Sequence, residues 1–236
     1  MKVLGIVQAR MASTRLPGKV MKLINDQPAI YWIMGRAARS KFMNKVILAT
    51  SNNVKDDVLY DYASAQKWPV FRGDEQNVLS RFAYLVERER PDVVVRINAD
   101  NFAIDHRVID LAIEKLIAES LDVVNPFLQH SYPFGVGAEV ARASLISEIV
   151  NEINTRVDDE EKRRVYSEHI FFYAYAHPEK YHFDTLEAVD GCRGAEFTVS
   201  VDELDEYLLL KKIYTHFQGR ELQFSTAELV NYLRGP

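Results

Sequence analysis

The 236-residue chain has a single cysteine, Cys192, so no intramolecular disulfide can staple it. It has no apolar run approaching the length needed to cross a bilayer, so no membrane segment is expected. A basic excess is also missing: 29 Lys and Arg stand against 34 Asp and Glu, giving a net charge of −5 and a pI of about 5.7. Nucleic acids and anionic membranes select for such an excess, so neither is an expected partner, and any cationic site must be local. Glycine motifs are absent where they would matter. No glycine lies between Gly5 and Gly18, which excludes a GxGxxG fingerprint after the first apolar run. Gly18-Lys19 is followed by Val20, which excludes a Walker loop because the magnesium-holding hydroxyl is lacking. Met1 leads into a strand-like run without a charged leader and long apolar stretch, so the cytoplasm is the expected location.

With 47% hydrophobic and 27% charged residues, the chain can bury a substantial core and reads as one domain over 1–236. Val3 to Val7, Lys45 to Ala49 and Val93 to Ile97 look like buried strands, with shorter ones at Val70-Phe71 and Val123-Val124. Helical spacing occupies 28–40, 56–66, 76–89 and 106–119, with Asp56, Asp74 and Asp105 near plausible starts. This alternation predicts an α/β fold with a mainly parallel sheet, whose ligands sit at the carboxyl ends of the strands. After about residue 125 the rhythm changes. "NPFLQHSYPFGVGAEV" is rich in turn formers and aromatics, "RVDDEEKRRVYSEH" is highly charged, and "HIFFYAYAHPEKY" concentrates aromatics. The segment 126–196 reads either as an exposed helix leading into a packed core or as an acceptor-side or dimer-forming region. A strand at Phe197 to Val201 and helices near 203–217 and 225–234 complete the expectation.

The loop leaving the first strand, "QARMASTRLPGKV", carries Arg10, Arg15 and Lys19 and no acid. The first carboxylate in the chain is Asp26, after five cations: Lys2, Arg10, Arg15, Lys19 and Lys22. Arg offers phosphate two donors at once and Lys a mobile point charge, while Gly18, Ala9, Ala12 and Ser13 leave backbone amides accessible. A polyphosphate is the natural guest. Charge alone leaves a solvated basic loop equally open.

"IVQARMASTRLPGKV" resembles the first motif of the CMP-sugar synthetases, most closely the spore-coat-polysaccharide type of cytidylyltransferase, with similarity to the Kdo and acylneuraminate enzymes. "VILATSNNVKDD", "PVFRGDEQNVLSRF", "DVVVRINADNFAID", "SYPFGVGAEV", "SEHI" and "VSVDELDEY" follow in the family's order. The resemblance implies a Rossmann-like three-layer nucleotidyltransferase fold, commonly dimeric. It implies an enzyme that uses CTP and Mg2+ to make a CMP-activated acidic sugar. It places the triphosphate on Arg10 and Lys19 with support from Arg15. Gln8, Ala9 and Ser13 would shape the loop, Ser51, Arg72 and Asn98 would lie near the nucleotide, and Asp100 and Asp202 would hold the metal. Gly73, Asn77 and Arg81 fall in a loop near the nucleotide in relatives, whereas Arg96, Asn98, Glu139, Glu168 and His169 fit the sugar side. No general base is assigned, since metal and water suffice for a hydroxyl nucleophile.

The acceptor motifs depart from the pattern. Relatives read GDCP where this chain has Ala99-Asp100-Asn101-Phe102, GLDVE where it has Gly135 to Glu139, REH where it has Ser167-Glu168-His169, and VDTPED where it has Val201 to Glu206. An acid is thus lost at Gly137 and a cation at Ser167, with Arg163 and Arg164 as candidate replacements for the cation. Changed specificity and lost activity both stay open. So do a phosphorylated or phosphonate acceptor and a nucleotide-binding protein without turnover. A GT-A glycosyltransferase would show DxD, whereas Asp100 is followed by Asn101-Phe102.

Overall fold

The computed structural model describes residues 1–129 and 131–235; His130, inside the 126–196 segment, and Pro236, inside the 1–236 domain, lie outside it. The first strand, β1 (Val3–Gln8), alternates Val3 and Val7 toward one core with Leu4 and Ile6 toward another, which is how a strand reads when both sheet faces are covered. A hairpin of β2 (Leu23–Ile24) and β3 (Gln27–Pro28) precedes α1 (Ala29–Ala37). Next come β4 (Met43–Ser51), α2 (Asp57–Ala65), β5 (Val70–Gly73), α3 (Val78–Glu89), β6 (Val93–Asn98) and α4 (His106–Ala118). β7 (Val123–Val124), β8 (Glu139–Arg142), α5 (Ser144–Arg156), α6 (Glu160–Glu168), α7 (Phe172–Tyr175) and β9 (Phe183–Asp184) follow, and α8 (Leu204–His216) and α9 (Thr226–Arg234) close the described chain.

The main sheet has seven strands in the order β5-β4-β1-β6-β8-β7-β9. The first four are mutually parallel, and β8 runs antiparallel to both β6 and β7. Ile30, Ile33, Ile109, Leu210 and Leu229 cover one face; Phe82, Leu85, Leu145, Ile149 and Tyr173 cover the other. The result is the expected three-layer α/β/α fold with a mainly parallel mixed sheet.

Differences from expectation have local causes. Phe197 to Val201 is not a ladder strand: Thr198 makes an isolated bridge with Phe134 and the rest is a strap with Val199 and Val201 buried. Gly135 permits that close approach, since it sits at φ +105° and a Cβ there would lie 2.6 Å from the Ser200 nitrogen. The charged segment forms α6, none of whose residues is buried, and Ile170, Phe171, Tyr173 and Ala174 then enter the core. Asp74 does not cap α3; Asn77 does, accepting from the Ser80 amide.

Three connections aim the strand ends at one place. Gln8 pairs with Asn98 across β1 and β6, the Ala9 amide donates to the Ala49 carbonyl, and the Ala99 amide donates to the Gln8 carbonyl. Asp56 then fixes the loop after β1. Its carboxylate, 1% exposed, accepts from the Met11 amide at 2.6 Å and from both the amide and the hydroxyl of Ser51. Asp56→Ala strands those buried donors and is expected to destabilise the fold by about 2–4 kcal/mol in urea unfolding, with Asp56→Asn less affected. Equal stability of Asp56→Ala and wild type would contradict this role.

Candidate active site

The loop closes on itself before it reaches a ligand. The Ser13 and Gly18 amides both donate to the Met11 carbonyl, and Gly18 takes a left-handed φ of +66° that turns the chain into a short 3-10 turn at Lys19–Met21. Lys19 is thereby aimed inward, its side chain only 12% exposed. Its Nζ donates to the Val201 carbonyl at 2.7 Å and to Asp202 Oδ1 at 2.9 Å, and lies 3.8 Å from Asp100 Oδ2. The Val201 amide donates in turn to the Asp100 carbonyl at 2.9 Å, so two acids far apart in sequence are clipped side by side.

A cavity of about 400 Å3 opens above these groups. Gln8, Ala9, Arg10, Ser13, Arg15, Lys19, Asn98, Asp100 and Asp202, all expected at the site from the sequence, line it together with Arg96, Glu168 and His169. Each loop cation already has a counterion. Arg15 Nη2 is 2.8 Å from Asp202 Oδ2, Arg10 Nη2 is 3.3 Å from Glu168 Oε1, and Lys19 sits between Asp202 and Asp100. Desolvation pushes the Asp100 carboxyl above its usual range, with Lys19 opposing and Asp202 adding to the rise. Asp100 and Asp202 supply hard oxygen donors converging on one point, which suits a magnesium-type cation that keeps phosphate oxygens and waters in its remaining positions. No cluster of three or more His, Cys, Asp or Glu able to hold a metal occurs among the described residues, so only this two-carboxylate arrangement is offered.

A second cavity of about 280 Å3 adjoins the first and shares Arg96, Asn98 and His169 with it. Arg96 marks the seam: Nε donates to Gln8 Oε1 at 3.1 Å, and Nη1 to Glu139 Oε2 at 2.8 Å. The other oxygen of Glu139 accepts from the Tyr175 hydroxyl at 2.7 Å, and burial plus that carboxylate raise the Tyr175 phenol well above its ordinary value. Burial, reinforced by Arg96, lowers the pKa of His169, whose ring stacks on Phe172 at 4.5 Å. Asn101, Asn125, Phe127, Phe134 and Ala138 also line this second cavity.

Two expected nucleotide contacts lie elsewhere. Ser51 is fully buried and bonded to Asp56, and Arg72 turns away to the Ser51 and Asn53 carbonyls and to Asp57 at 2.7 Å. Arg163 bonds the Val157 carbonyl and neither it nor Arg164 lines either cavity, so the cation missing at Ser167 is not replaced. A Cβ at Gly137 would meet Pro126 Cγ at 2.7 Å, which leaves no room for the acid of relatives. The sequence reading missed Asp56, which looked like a helix start, and the Arg10 to Glu168 contact, for which nothing in the sequence is a signal.

The comparisons with known proteins bear on the family and the fold. The chain is 31% identical over 235 residues to the spore coat polysaccharide biosynthesis protein SpsF of Bacillus subtilis, covering 98% of this chain and 93% of that protein. It superposes on a cytidylyltransferase from Leptospira borgpetersenii with a TM-score of 0.88 at 24% identity, covering 99% of this chain and 94% of the other. It also superposes on a CMP:2-keto-3-deoxy-manno-octonic acid synthetase complexed with CTP, with a TM-score of 0.66 at 14% identity, covering 92% and 99%. Residues 4–224 match the cytidylyltransferase family model, and the chain belongs to that family of CTP-dependent nucleotidyltransferases.

Proposed function

We propose that the chain transfers CMP from CTP to a hydroxyl of an acidic sugar, nonulosonic or Kdo-like, releasing pyrophosphate, with Mg2+ as its metal, for surface polysaccharide or glycan synthesis. The observation that carries this reading is the convergence of Lys19 on Asp100 and Asp202 beneath a loop bearing Arg10 and Arg15. The acceptor hydroxyl gives up its proton to water as its oxygen bonds to the α-phosphorus, the bond from that phosphorus to the oxygen bridging to the β-phosphorus breaks, and the leaving pyrophosphate takes the charge. Lys19, Arg10 and Arg15 then exchange their carboxylates for phosphate oxygens, which is electrostatic stabilisation aimed where charge accumulates. Asp100 and Asp202 would hold the magnesium, which supplies neutralisation of the phosphate oxygens when bound. Gln8, Ala9 and Ser13 shape the loop wall, and Asn98 stands where nucleotide and acceptor meet.

The second cavity suits the sugar. In this reading the 126–196 segment is acceptor-side, because it contributes Phe127, Phe134, Glu139, His169 and Phe172 to that cavity. Arg96 Nη2 makes no hydrogen bond among the described residues and is the donor we assign to the sugar carboxylate. An acid-binding role is also consistent with the Kdo synthetase likeness. No helix of the described residues is long and apolar enough to cross a membrane, which fits our placement of the reaction in the cytoplasm.

Two experiments test the reading. Pyrophosphate release, measured with each of the four nucleoside triphosphates and magnesium against nonulosonic acids, Kdo and phosphorylated small acceptors, should occur with CTP and an acidic sugar. It should fall by about 10²–10³-fold in Asp100→Asn; release with a phosphorylated acceptor alone would overturn the acidic sugar. Asp202→Asn should lose turnover similarly but bind metal-free CTP about threefold to fivefold more tightly by calorimetry, because Lys19 and Arg15 lose a counterion that competes with phosphate. Weaker metal-free binding would show that Asp202 does not restrain the cations.

A further inference from the structure

Arg96 and Glu139 pair through one carboxylate oxygen although two are at hand. Arg96 Nη1 donates to Glu139 Oε2 at 2.8 Å, and Nε is taken by Gln8 Oε1 at 3.1 Å. A guanidinium and a carboxylate at close range favour two parallel hydrogen bonds, which here would bring Glu139 Oε1 onto Arg96 Nη2. Antiparallel pairing of β6 and β8 sets the two residues directly opposite each other, so reach does not prevent that fork. It is nevertheless not made. Glu139 Oε1 accepts instead from the Tyr175 hydroxyl at 2.7 Å and, at 3.4 Å, from Asn125 Nδ2, which also donates to the Tyr175 oxygen at 3.2 Å. Arg96 Nη2 thereby keeps accessible surface and no partner among the described residues, on a side chain that is only 6% exposed and lines both cavities.

Tyr175 itself lines neither cavity. It lies on α7 with its ring edge-on to Phe183, the centroids 5.1 Å apart, so its hydroxyl is aimed by packing rather than by a ligand. Burial, reinforced by Glu139, raises the phenol well above its ordinary range, and the hydroxyl therefore remains a proton donor at neutral pH. A shielded tyrosine hydroxyl can be satisfied by many acceptors. This one is committed to the single carboxylate that would otherwise close on the free Arg96 nitrogen.

We infer that Tyr175 is a positioning residue for the acceptor: by holding Glu139 Oε1, its hydroxyl prevents a two-pronged Arg96 to Glu139 pair and keeps Arg96 Nη2 open to the carboxylate of the incoming sugar. The inference rests on the proposed binding of that carboxylate by Arg96. Without the hydroxyl, Glu139 turns onto Nη2 and competes, as an internal carboxylate, with that of the substrate. The acceptor then binds more weakly while the phosphate loop is untouched.

The test is steady-state pyrophosphate release by the full chain with CTP, magnesium and whichever of Kdo and the nonulosonic acids turns over fastest, set against the C1 amide of the same sugar. Wild type should prefer acid to amide by about tenfold or more in kcat/KM. Tyr175→Phe should raise the KM of the acid about fivefold to twentyfold, leave kcat and the KM of CTP within about twofold, and shrink the preference for acid to about threefold or less. Glu139→Gln cannot close the fork, because its amide nitrogen is a donor, so adding Tyr175→Phe to that background should change the KM of the acid by less than about twofold. A Tyr175→Phe effect that persists in Glu139→Gln, or that falls equally on acid and amide or on CTP, would make the hydroxyl a structural group or a direct contact and overturn the inference alone. An unchanged KM in Tyr175→Phe, or a Tyr175→Phe chain that does not fold, would do the same. A wild type that uses acid and amide equally, or that turns over no acidic sugar, would overturn the carboxylate reading and this inference with it.

Discussion

The ion pair between Lys19 and Asp202 is the contact around which the site is organised. It joins the loop after the first strand to the strap before α8, and through the Val201 amide and the Asp100 carbonyl it fixes the end of β6 as well. An inward-facing ammonium held among carboxylates is stable without ligand, and the same arrangement keeps three cations from repelling one another. The account of catalysis follows from the rearrangement this permits. In the proposed reaction phosphate oxygens would take the cations and the metal would take Asp100 and Asp202, while exposed Glu168, released by Arg10, would be left to water.

The sheet makes this convergence possible. Parallel pairing of β1 with β4 and β6 brings the loop and Asp100 to one edge, and Gln8 and Asn98 stand opposite each other in register there. Antiparallel β8 then delivers Glu139 opposite Arg96, so a buried ion pair forms the wall between the two cavities. The two cavities thus share one guanidinium, which in the proposed reading would stand between nucleotide and acceptor. Pro126 occupies the space above Gly137, where the family resemblance would put an acid.

Much of this was legible in the sequence because it rests on local pattern. Runs of β-branched residues marked β1 and β6, helical spacing marked α1 to α4, and an acid-free stretch marked the loop. Asp100 and Asp202 followed from family motifs and do meet at Lys19. What failed depended on partners distant in sequence. Arg72 and Arg81 both bond main-chain carbonyls near the same strand ends, and only packing decides that Arg72 also pairs with Asp57 while Arg81 is buried without an ion pair among the described residues. Asp56 resembles a helix cap by position, yet its carboxylate reaches back to Met11. Phe197 to Val201 has strand composition, but among the described residues its one bridge is at Thr198.

The central claim is that the cations of the loop change partners when substrate arrives. A crystal structure of the chain with CTP and magnesium tests it most directly. The account predicts Asp100 and Asp202 together on the metal, Lys19 and Arg15 on phosphate oxygens, and the 2.9 Å contact between Lys19 and Asp202 broken. A complex in which that contact persists while CTP is bound would contradict it.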